Sequence, residues 1–195
     1  MSVKASNLFK YRSYTPIPFV LIMFLYANPN IWSIITGLAI AVLGEVIRIW
    51  GVSWAGSETR TTGEVGGSFL VISGPFAYVR NPLYVGNILM YTGLGIMSFA
   101  LFPYLQILGF IFFYFQYKTI VREEEQYLEK TYGNDYKNYL LNVPRFFPKL
   151  KPYKVDSLIQ PEFILKKGLK SETRSLQAFG FVTITIILLW ILRRV

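Results

Sequence analysis

Long apolar blocks alternate with short polar stretches along this chain of 195 residues. The blocks are too continuous for the alternating pattern of a half-buried strand, and they indicate helices. Four of them are near the ~20 residues that a helix needs to cross a bilayer: residues 31–54, 83–102, 104–119 and 175–192. A shorter block, residues 16–27, would cross only with help from residues 11–15 or from a tightly packed neighbour. The pattern predicts an all-α membrane protein, with about five transmembrane helices in a single domain over residues 1–195.

The connections between the blocks predict how the helices pack. A turn at Phe102-Pro103 is so short that the third and fourth helices should form a tight antiparallel hairpin. The start of the third helix and the end of the fourth are then neighbours. Residues 158–174 mix apolar and lysine positions, as an interfacial amphipathic helix does before the last span. Small residues suited to close helix contact recur along the second block: Gly37, Ala41, Gly44 and Gly51.

The distribution of basic residues predicts the orientation in the membrane. The net charge is +9, yet the turns at residues 28–30 and 102–103 contain neither lysine nor arginine. Because cytoplasmic flanks carry the excess of basic residues, the N-terminus and the polar segments 55–81 and 118–154 should lie on the cytoplasmic side. We therefore expect an integral membrane protein, most simply of the cell inner membrane. The charge indicates membrane lipids rather than nucleic acid as partners, and the oligomeric state stays open.

The chain contains no cysteine and no histidine. This composition excludes disulfides and thiolate nucleophiles, removes the usual zinc ligands, and predicts no metal site. It also removes the commonest general base near neutral pH. Any chemistry must use carboxylates, guanidinium or ammonium groups, tyrosines and amides.

Two polar clusters should converge on the cytoplasmic side. The first lies in residues 73–87 (SGPFAYVRNPLYVGN). Arg80 stands there at a helix start, where a guanidinium opposes the helix dipole and is better suited to binding an anion. The second lies at and after the end of the fourth helix, in residues 123–146. The hairpin brings both clusters together, and the combined set suits a zwitterionic cofactor with a flat ring. Its members are Arg80, Asn81 and Tyr84, with Pro82 between them, then Glu123, Glu124 and Glu125, then Tyr132, Tyr136, Tyr139, Arg145 and Phe146. Alternatively, the glutamates form only a solvated helix face and the tyrosines an interfacial belt.

A second charged pair lies inside the second block. Glu45 and Arg48 are three residues apart and therefore share a helix face. A structural ion pair near the interface is the simpler interpretation, although a charge within a membrane span is a functional candidate by default.

The two motifs GPFAYVRNPLYVGN and REEEQYLEKTYGNDYKNYLLNVPRFFP resemble the isoprenylcysteine carboxyl methyltransferase and phospholipid methyltransferase family over about residues 73–148. The resemblance implies an S-adenosylmethionine-dependent methyltransferase without a Rossmann domain. It places the cofactor in a cytoplasmic pocket between residues 80–84 and the Glu124-Glu125 pair, closed by Tyr136, Tyr139 and Arg145. A lipophilic small-molecule or lipidated acceptor would enter sideways between the spans.

The resemblance also suggests roles for individual residues. Arg145 or Arg80 would orient an anionic acceptor, and Glu124 would take the proton from an amine acceptor. Many family members carry histidine where this chain has Asn81, and asparagine cannot take a proton near neutral pH. The acceptor therefore stays open between an isoprenylcysteine-like carboxylate and a phospholipid amine.

Two other functions fit the same sequence. Membrane steroid and sterol reductases resemble this layout in their C-terminal spans and use NADPH. A non-catalytic lipid-binding protein would keep the fold without the reaction.

Overall fold

The computed structural model describes residues 9–56, 70–155 and 158–193, and all regular secondary structure within these ranges is helical. Helical residues 9–11 come before five longer α-helices. These are α1 (Ile17–Leu25), α2 (Ile31–Ala55), α3 (Pro82–Ser98), α4 (Tyr104–Asn142) and α5 (Leu165–Leu192), with a 3₁₀ helix, Gly74–Ala77, between α2 and α3. Most of the predicted connector at residues 55–73 lies outside the described residues.

Local sequence sets the starts of α2 and α3. Asn30 caps α2, because its side chain accepts a hydrogen bond from the Ser33 amide while the Ser33 hydroxyl accepts one from the Asn30 amide, both at 3.0 Å. Pro82 occupies the first turn of α3, where a missing N–H costs nothing. The α3 helix ends at Ser98, four residues before the predicted block ends, because Phe99 adopts a left-handed conformation (φ 50°).

Glycines let α2 and α3 approach until their backbones touch. A Cβ added at Gly44 would lie 2.5 Å from the Gly86 carbonyl oxygen, and one added at Gly93 would lie 2.6 Å from the Gly37 carbonyl oxygen. These pairs run in opposite directions along the two helices, so α2 and α3 are antiparallel. The close contact expected along the second block is therefore confirmed.

The last helix is longer than the sequence predicted. Residues 158–164 are not helical, and α5 runs without interruption from Leu165 to Leu192 instead of dividing at residue 175. The expected separate amphipathic helix over residues 158–174 is wrong. The first two buried residues of α5 are small or polar, which an apolar pattern does not reveal. The buried residues are Gly168, Glu172, Val182 and Ile186.

The fourth helix contains a sharp bend. Gly133 has φ 55° and ψ −124°, so two helical segments meet there within residues 104–142. Glycine allows this angle because it has no Cβ. The first segment packs on α3, where Tyr91 contacts Phe113 with ring centroids 4.6 Å apart. The bend turns residues 134–142 back toward the stretch that precedes α3.

Two helices in the described ranges, α2 and α5, are long and apolar enough to cross a bilayer. The outer surfaces of α2, α4 and α5 also carry many exposed large apolar side chains, as a protein surrounded by lipid would. Examples are Ile35, Val42, Leu43, Phe110, Ile111, Phe115, Phe181, Ile184 and Leu188. These observations fit a membrane protein.

Candidate functional site

The segment after α4 is fastened to the stretch before α3. Three backbone amides donate hydrogen bonds across this junction: Arg80 to Pro144 (2.9 Å), Lys149 to Tyr78 (3.0 Å) and Tyr153 to Ala77 (2.9 Å). Residues 77–80 and 144–153 therefore run side by side. The bend at Gly133 makes this possible, because it returns the chain toward the start of α3.

Arg80 is largely buried, and its Nη1 and Nε donors are occupied by the protein. Its Nη1 donates to the carbonyl oxygens of Leu140 (2.7 Å) and Val143 (2.9 Å), which lie in and just beyond the last turn of α4. Its Nε donates to Glu125 Oε1 at 3.1 Å. The anion expected beside Arg80 is therefore supplied by the chain itself. Arg80 joins the start of α3 to both segments of α4, on either side of the bend at Gly133.

Glu125 is held between two arginines. Arg145 Nε donates to Glu125 Oε1 at 3.1 Å, and Arg145 Nη2 donates to Glu125 Oε2. The Asn81 side chain donates to the Arg145 carbonyl oxygen at 3.2 Å. The Glu125 side chain is 9% exposed, against 34% for Arg145. A carboxylate with two guanidinium partners is satisfied, so Glu125 organises the junction rather than offering a free charge.

Glu124 has a different environment from its neighbour. Tyr84 Oη donates a hydrogen bond to Glu124 Oε1 at 2.7 Å. Burial removes the carboxyl group from water and raises the pKa of Glu124 to about 7, although the Tyr84 hydrogen bond and the nearby Arg12 charge oppose that rise. A carboxyl group with this pKa exchanges a proton near neutral pH. It can act as an acid or base, or it can bind a cation.

Tyrosines continue the polar contacts from Glu124 into the helical bundle. The rings of Tyr84 and Tyr117 are stacked with centroids 4.7 Å apart, and both pack with Phe113 and Ile88. Pro82, two residues before Tyr84, is fully buried. The start of α3 is thus rigidly packed against α4 at the position of Glu124.

Tyr136 and Tyr139 are core residues of the bent half of α4. They are 2% and 3% exposed and pack with Leu70, Ile72 and Val143. The Tyr139 hydroxyl donates to the Phe76 carbonyl oxygen at 2.7 Å. Burial raises the pKa of both phenols, so both stay neutral. These contacts stabilise the junction, and a role of either ring in cofactor binding stays a prediction.

Arg80, Glu125 and Arg145 together form an ion-pair cluster that we call the clamp. A cavity of about 250 Å³ opens beside it. Its walls combine cationic and aromatic side chains: Arg80, Tyr114, Lys118, Pro144, Arg145, Phe146 and Phe147. Of the residues predicted for the site, Arg80 and Arg145 line this cavity. Asn81 contacts one of its lining residues, Arg145, whereas Glu124 and Tyr84 contact each other and do not line it.

Sequence reasoning missed two cations of this region. Lys118 lines the cavity, and its signal was visible as the first charge after the uncharged residues 83–117. Arg12 influences Glu124 although 111 residues separate them in the chain, and no local pattern could have indicated this proximity. Its guanidinium lies over the Phe9 ring, 3.7 Å from the centroid. The segment before α1 therefore packs against the site.

A second buried polar cluster joins α2, α3 and α5. Arg48 Nη2 donates to Glu172 Oε2 at 2.6 Å and Arg48 Nη1 donates to Asn87 Oδ1. The expected Glu45 pair also exists, with 3.6 Å between Arg48 Nε and Glu45 Oε2. The sequence therefore indicated the Glu45–Arg48 ion pair but not the shorter one between Arg48 and Glu172. The cluster fixes α5 against the α2–α3 pair.

The described residues define a helical protein with two helices suited to a bilayer and with a hydrogen-bonded carboxyl group, Glu124, where α3 meets α4. Comparison with known proteins gives the particular family. The sequence profile described as phospholipid methyltransferase matches residues 32–135, more than half of the chain, so the protein belongs to the phospholipid methyltransferase family. The family resemblance expected from the two motifs is confirmed. The match includes Arg80, Tyr84 and Glu124.

Several curated proteins are similar to the chain. The cobalt-zinc-cadmium resistance protein CzcN of Cupriavidus metallidurans is 31% identical over 121 residues, which cover 62% of this chain and 50% of that protein. The nickel-cobalt-cadmium resistance protein NccN of Alcaligenes xylosoxydans xylosoxydans is 24% identical, with 66% and 68% covered. Human protein-S-isoprenylcysteine O-methyltransferase is 30% identical, with 64% and 44% covered.

The chain thus spans about half the length of CzcN and less than half of the human enzyme. No solved structure matches the chain significantly.

Proposed function

We propose that the protein is an integral membrane methyltransferase that transfers a methyl group from S-adenosylmethionine to a lipophilic acceptor at the cytoplasmic membrane face. The observation that carries this proposal is the Tyr84–Glu124 hydrogen bond of 2.7 Å beside the Arg80–Glu125–Arg145 clamp. It joins the two motifs shared with the methyltransferase family in one site, across 40 residues of sequence.

The proposed arrangement in the membrane has five spans. In addition to α2 and α5, the membrane would contain α3, the first half of α4, and α1 with its flanking residues. The exposed apolar side chains of α4 support this arrangement, since Phe110, Ile111 and Phe115 would face lipid. The N-terminus and the site would then be cytoplasmic, because the turns at the other membrane face lack basic residues.

The residues of the site fit the cofactor in part. S-adenosylmethionine carries an ammonium group, and Glu124 offers a carboxyl group that is withdrawn from water and has one hydrogen bond from Tyr84. Glu125 is unsuitable for that role, because Arg80 and Arg145 already occupy it. We therefore assign the cofactor's ammonium group to Glu124. Glu125 and Arg80 would stabilise the walls of the site instead of contacting the cofactor.

When bound, the cofactor supplies a methyl group whose bond to sulfur breaks, with the electron pair staying on sulfur, as the acceptor's oxygen or nitrogen bonds to the methyl carbon. The chain has to position the acceptor and exclude water. The buried Tyr84–Tyr117 stack and Pro82 give the site a rigid apolar floor. Glu124 would hold the proton released by an amine acceptor. A carboxylate acceptor is already ionised and needs no base.

The name of the human relative, protein-S-isoprenylcysteine O-methyltransferase, favours a carboxylate on a prenylated cysteine as acceptor. The family description, phospholipid methyltransferase, favours an amine of a phospholipid headgroup. The excess of cationic side chains in the cavity suits the negative group that both acceptors carry. We therefore propose a lipophilic anionic acceptor and leave the methylated atom to experiment.

Binding of S-adenosylhomocysteine and of NADPH to the detergent-purified protein, measured by calorimetry, tests the reaction class. We expect the first to bind and the second not to bind. Transfer of a radiolabelled methyl group would then be measured with a prenylated cysteine and with phosphatidylethanolamine vesicles.

Two carboxylates of α4 offer a matched pair of variants for this test. Glu124→Gln should abolish methyl transfer. Glu129→Gln should not, because the Glu129 side chain is 44% exposed and its one ion pair among the described residues is with the surface residue Lys137, at 3.9 Å. Binding of NADPH alone, or full transfer activity in folded Glu124→Gln, would contradict the proposal.

A further inference from the structure

The cavity beside the clamp has more positive charge than the protein neutralises. Arg80, Lys118 and Arg145 line it, and Glu125 is the carboxylate that pairs with two of them. Lys118 has no ion pair among the described residues, and its ammonium group lies 6.0 Å from the ring centroids of Tyr114 and Phe115. Arg145 is partly exposed toward the opening. Such an excess of cations at a partly dehydrated wall attracts an anion.

The rest of the cavity wall is aromatic and continues onto the outer surface of α4. Tyr114 contacts Phe146 with ring centroids 5.6 Å apart, and Tyr114 also contacts Phe110 with centroids 6.4 Å apart. Phe110 and Phe147 are 48% and 77% exposed. An apolar path thus leads from the cationic wall along the side of α4. A ligand with one charged end and one long apolar part matches this shape.

We propose that this cavity binds the anionic group of the lipophilic acceptor, with Lys118 as a specificity-determining residue and the hydrocarbon chain along the outer face of α4. This inference rests on the proposed function, which it deepens by assigning the acceptor's position. The cavity borders the Arg80–Glu125–Arg145 clamp, and Glu124 is the residue of α4 next to Glu125 in the chain. The anionic group is a carboxylate or a phosphate diester.

Three probes in a non-ionic detergent separate these chemistries. N-acetyl-S-farnesylcysteine carries a carboxylate, its methyl ester carries no charge, and a lysophosphatidylethanolamine carries a phosphate. Binding of each is measured for the wild type, for Lys118→Gln and for Lys130→Gln. Lys130 lies on the same helix, is exposed and does not line the cavity, so its variant removes an equal charge elsewhere.

We expect Lys118→Gln to weaken binding of an anionic probe roughly tenfold, as loss of a charge-assisted hydrogen bond does. Binding of the methyl ester should not change, and Lys130→Gln should leave all three affinities unchanged. The anionic probe that binds more tightly to the wild type identifies the group as carboxylate or phosphate. Added salt should reduce the difference between the wild type and Lys118→Gln.

Equal affinities in wild type and Lys118→Gln, equal losses in both lysine variants, or no binding of either anionic probe to the wild type would overturn the inference. Calorimetry with S-adenosylhomocysteine on the same proteins separates the two proposals. Unchanged affinity in Lys118→Gln is expected, whereas a loss would assign the cavity to the cofactor and also overturn the inference. Failure of the wild type to bind S-adenosylhomocysteine would contradict the proposed function without changing the probe results.

Discussion

Replacing Glu124 with glutamine should stabilise the protein at alkaline pH and have little effect at acidic pH. Burial raises the pKa of Glu124 from an ordinary 4.5 to about 7, so the folded state binds this proton more tightly than the unfolded state does. The contribution of the Glu124 carboxyl group to the free energy of unfolding is complete below about pH 4.5. It is lost as the pH rises through about 7, because the buried group then ionises. Glutamine stays neutral, and its amide oxygen still accepts the Tyr84 hydrogen bond.

The magnitude follows from the difference between the two pKa values. A difference of about 2.5 pH units corresponds to up to about 3 kcal/mol of unfolding free energy above pH 8. For a chain of this size, 1 kcal/mol changes the melting temperature by about 2–4 °C. The variant should therefore melt up to about 10 °C above the wild type at pH 8.5. At pH 5 the two proteins should melt within about 2 °C of each other.

Thermal unfolding in detergent, followed by tryptophan fluorescence from pH 5 to pH 8.5, measures this difference. Glu129→Gln serves as the control, because the Glu129 side chain is 44% exposed and lies 3.9 Å from its surface partner Lys137, so this variant should melt close to the wild type. A stability gain in Glu124→Gln that does not depend on pH would refute the assigned pKa. Lower stability of Glu124→Gln at pH 8.5 would show that the wild-type carboxylate is ionised and favourably bound.

The Tyr84–Glu124 hydrogen bond, the Arg80–Glu125–Arg145 clamp and the contact between α2 and α3 give three further predictions. Tyr84→Phe removes the donor that stabilises ionised Glu124, so the acid limb of the pH–activity profile should move up by roughly one unit, and an unchanged profile would contradict the assignment. Glu125→Gln leaves two guanidinium groups together without their carboxylate and should cost about 3–5 kcal/mol of unfolding free energy in denaturant titrations, whereas a neutral effect would show that the clamp is solvated. Gly93→Ala places a Cβ against the backbone of α2 and should cost about 1–3 kcal/mol of unfolding free energy. A thermal melt would detect this loss, and an unchanged melting temperature would show that the contact between the two helices relaxes to accommodate the methyl group.

Much of the fold was accessible from local pattern. The apolar blocks predicted helices that the structure places at α1 to α5, and the small residues of the second block predicted the backbone contact of Gly44 with Gly86. These features depend on neighbouring residues in the chain and on side-chain volume. The course of residues 158–174 was not accessible, because the buried residues of α5 begin with Gly168 and Glu172, which carry no apolar signal.

The candidate site shows where local reasoning ends. Glu124 and Glu125 looked alike in the sequence, but adjacent residues of an α-helix point about 100° apart. One therefore meets Tyr84 and the other meets the two arginines. Arg80 was expected to bind an anionic group of a ligand, and Glu125 together with the Leu140 and Val143 carbonyl oxygens occupies its Nε and Nη1 donors instead.

The sequence by itself determined the helical class, the family and the charged residues of the candidate site. Those properties follow from composition, from the period of apolar positions and from motifs within single stretches of chain. Tertiary structure decided which charges meet across distant parts of the chain. Arg48 pairs with Glu172 across 124 residues, and Arg12 lies near Glu124. The physical reason is that contact between distant residues depends on how helices are packed and rotated, while electrostatic strength depends on the water that this packing removes.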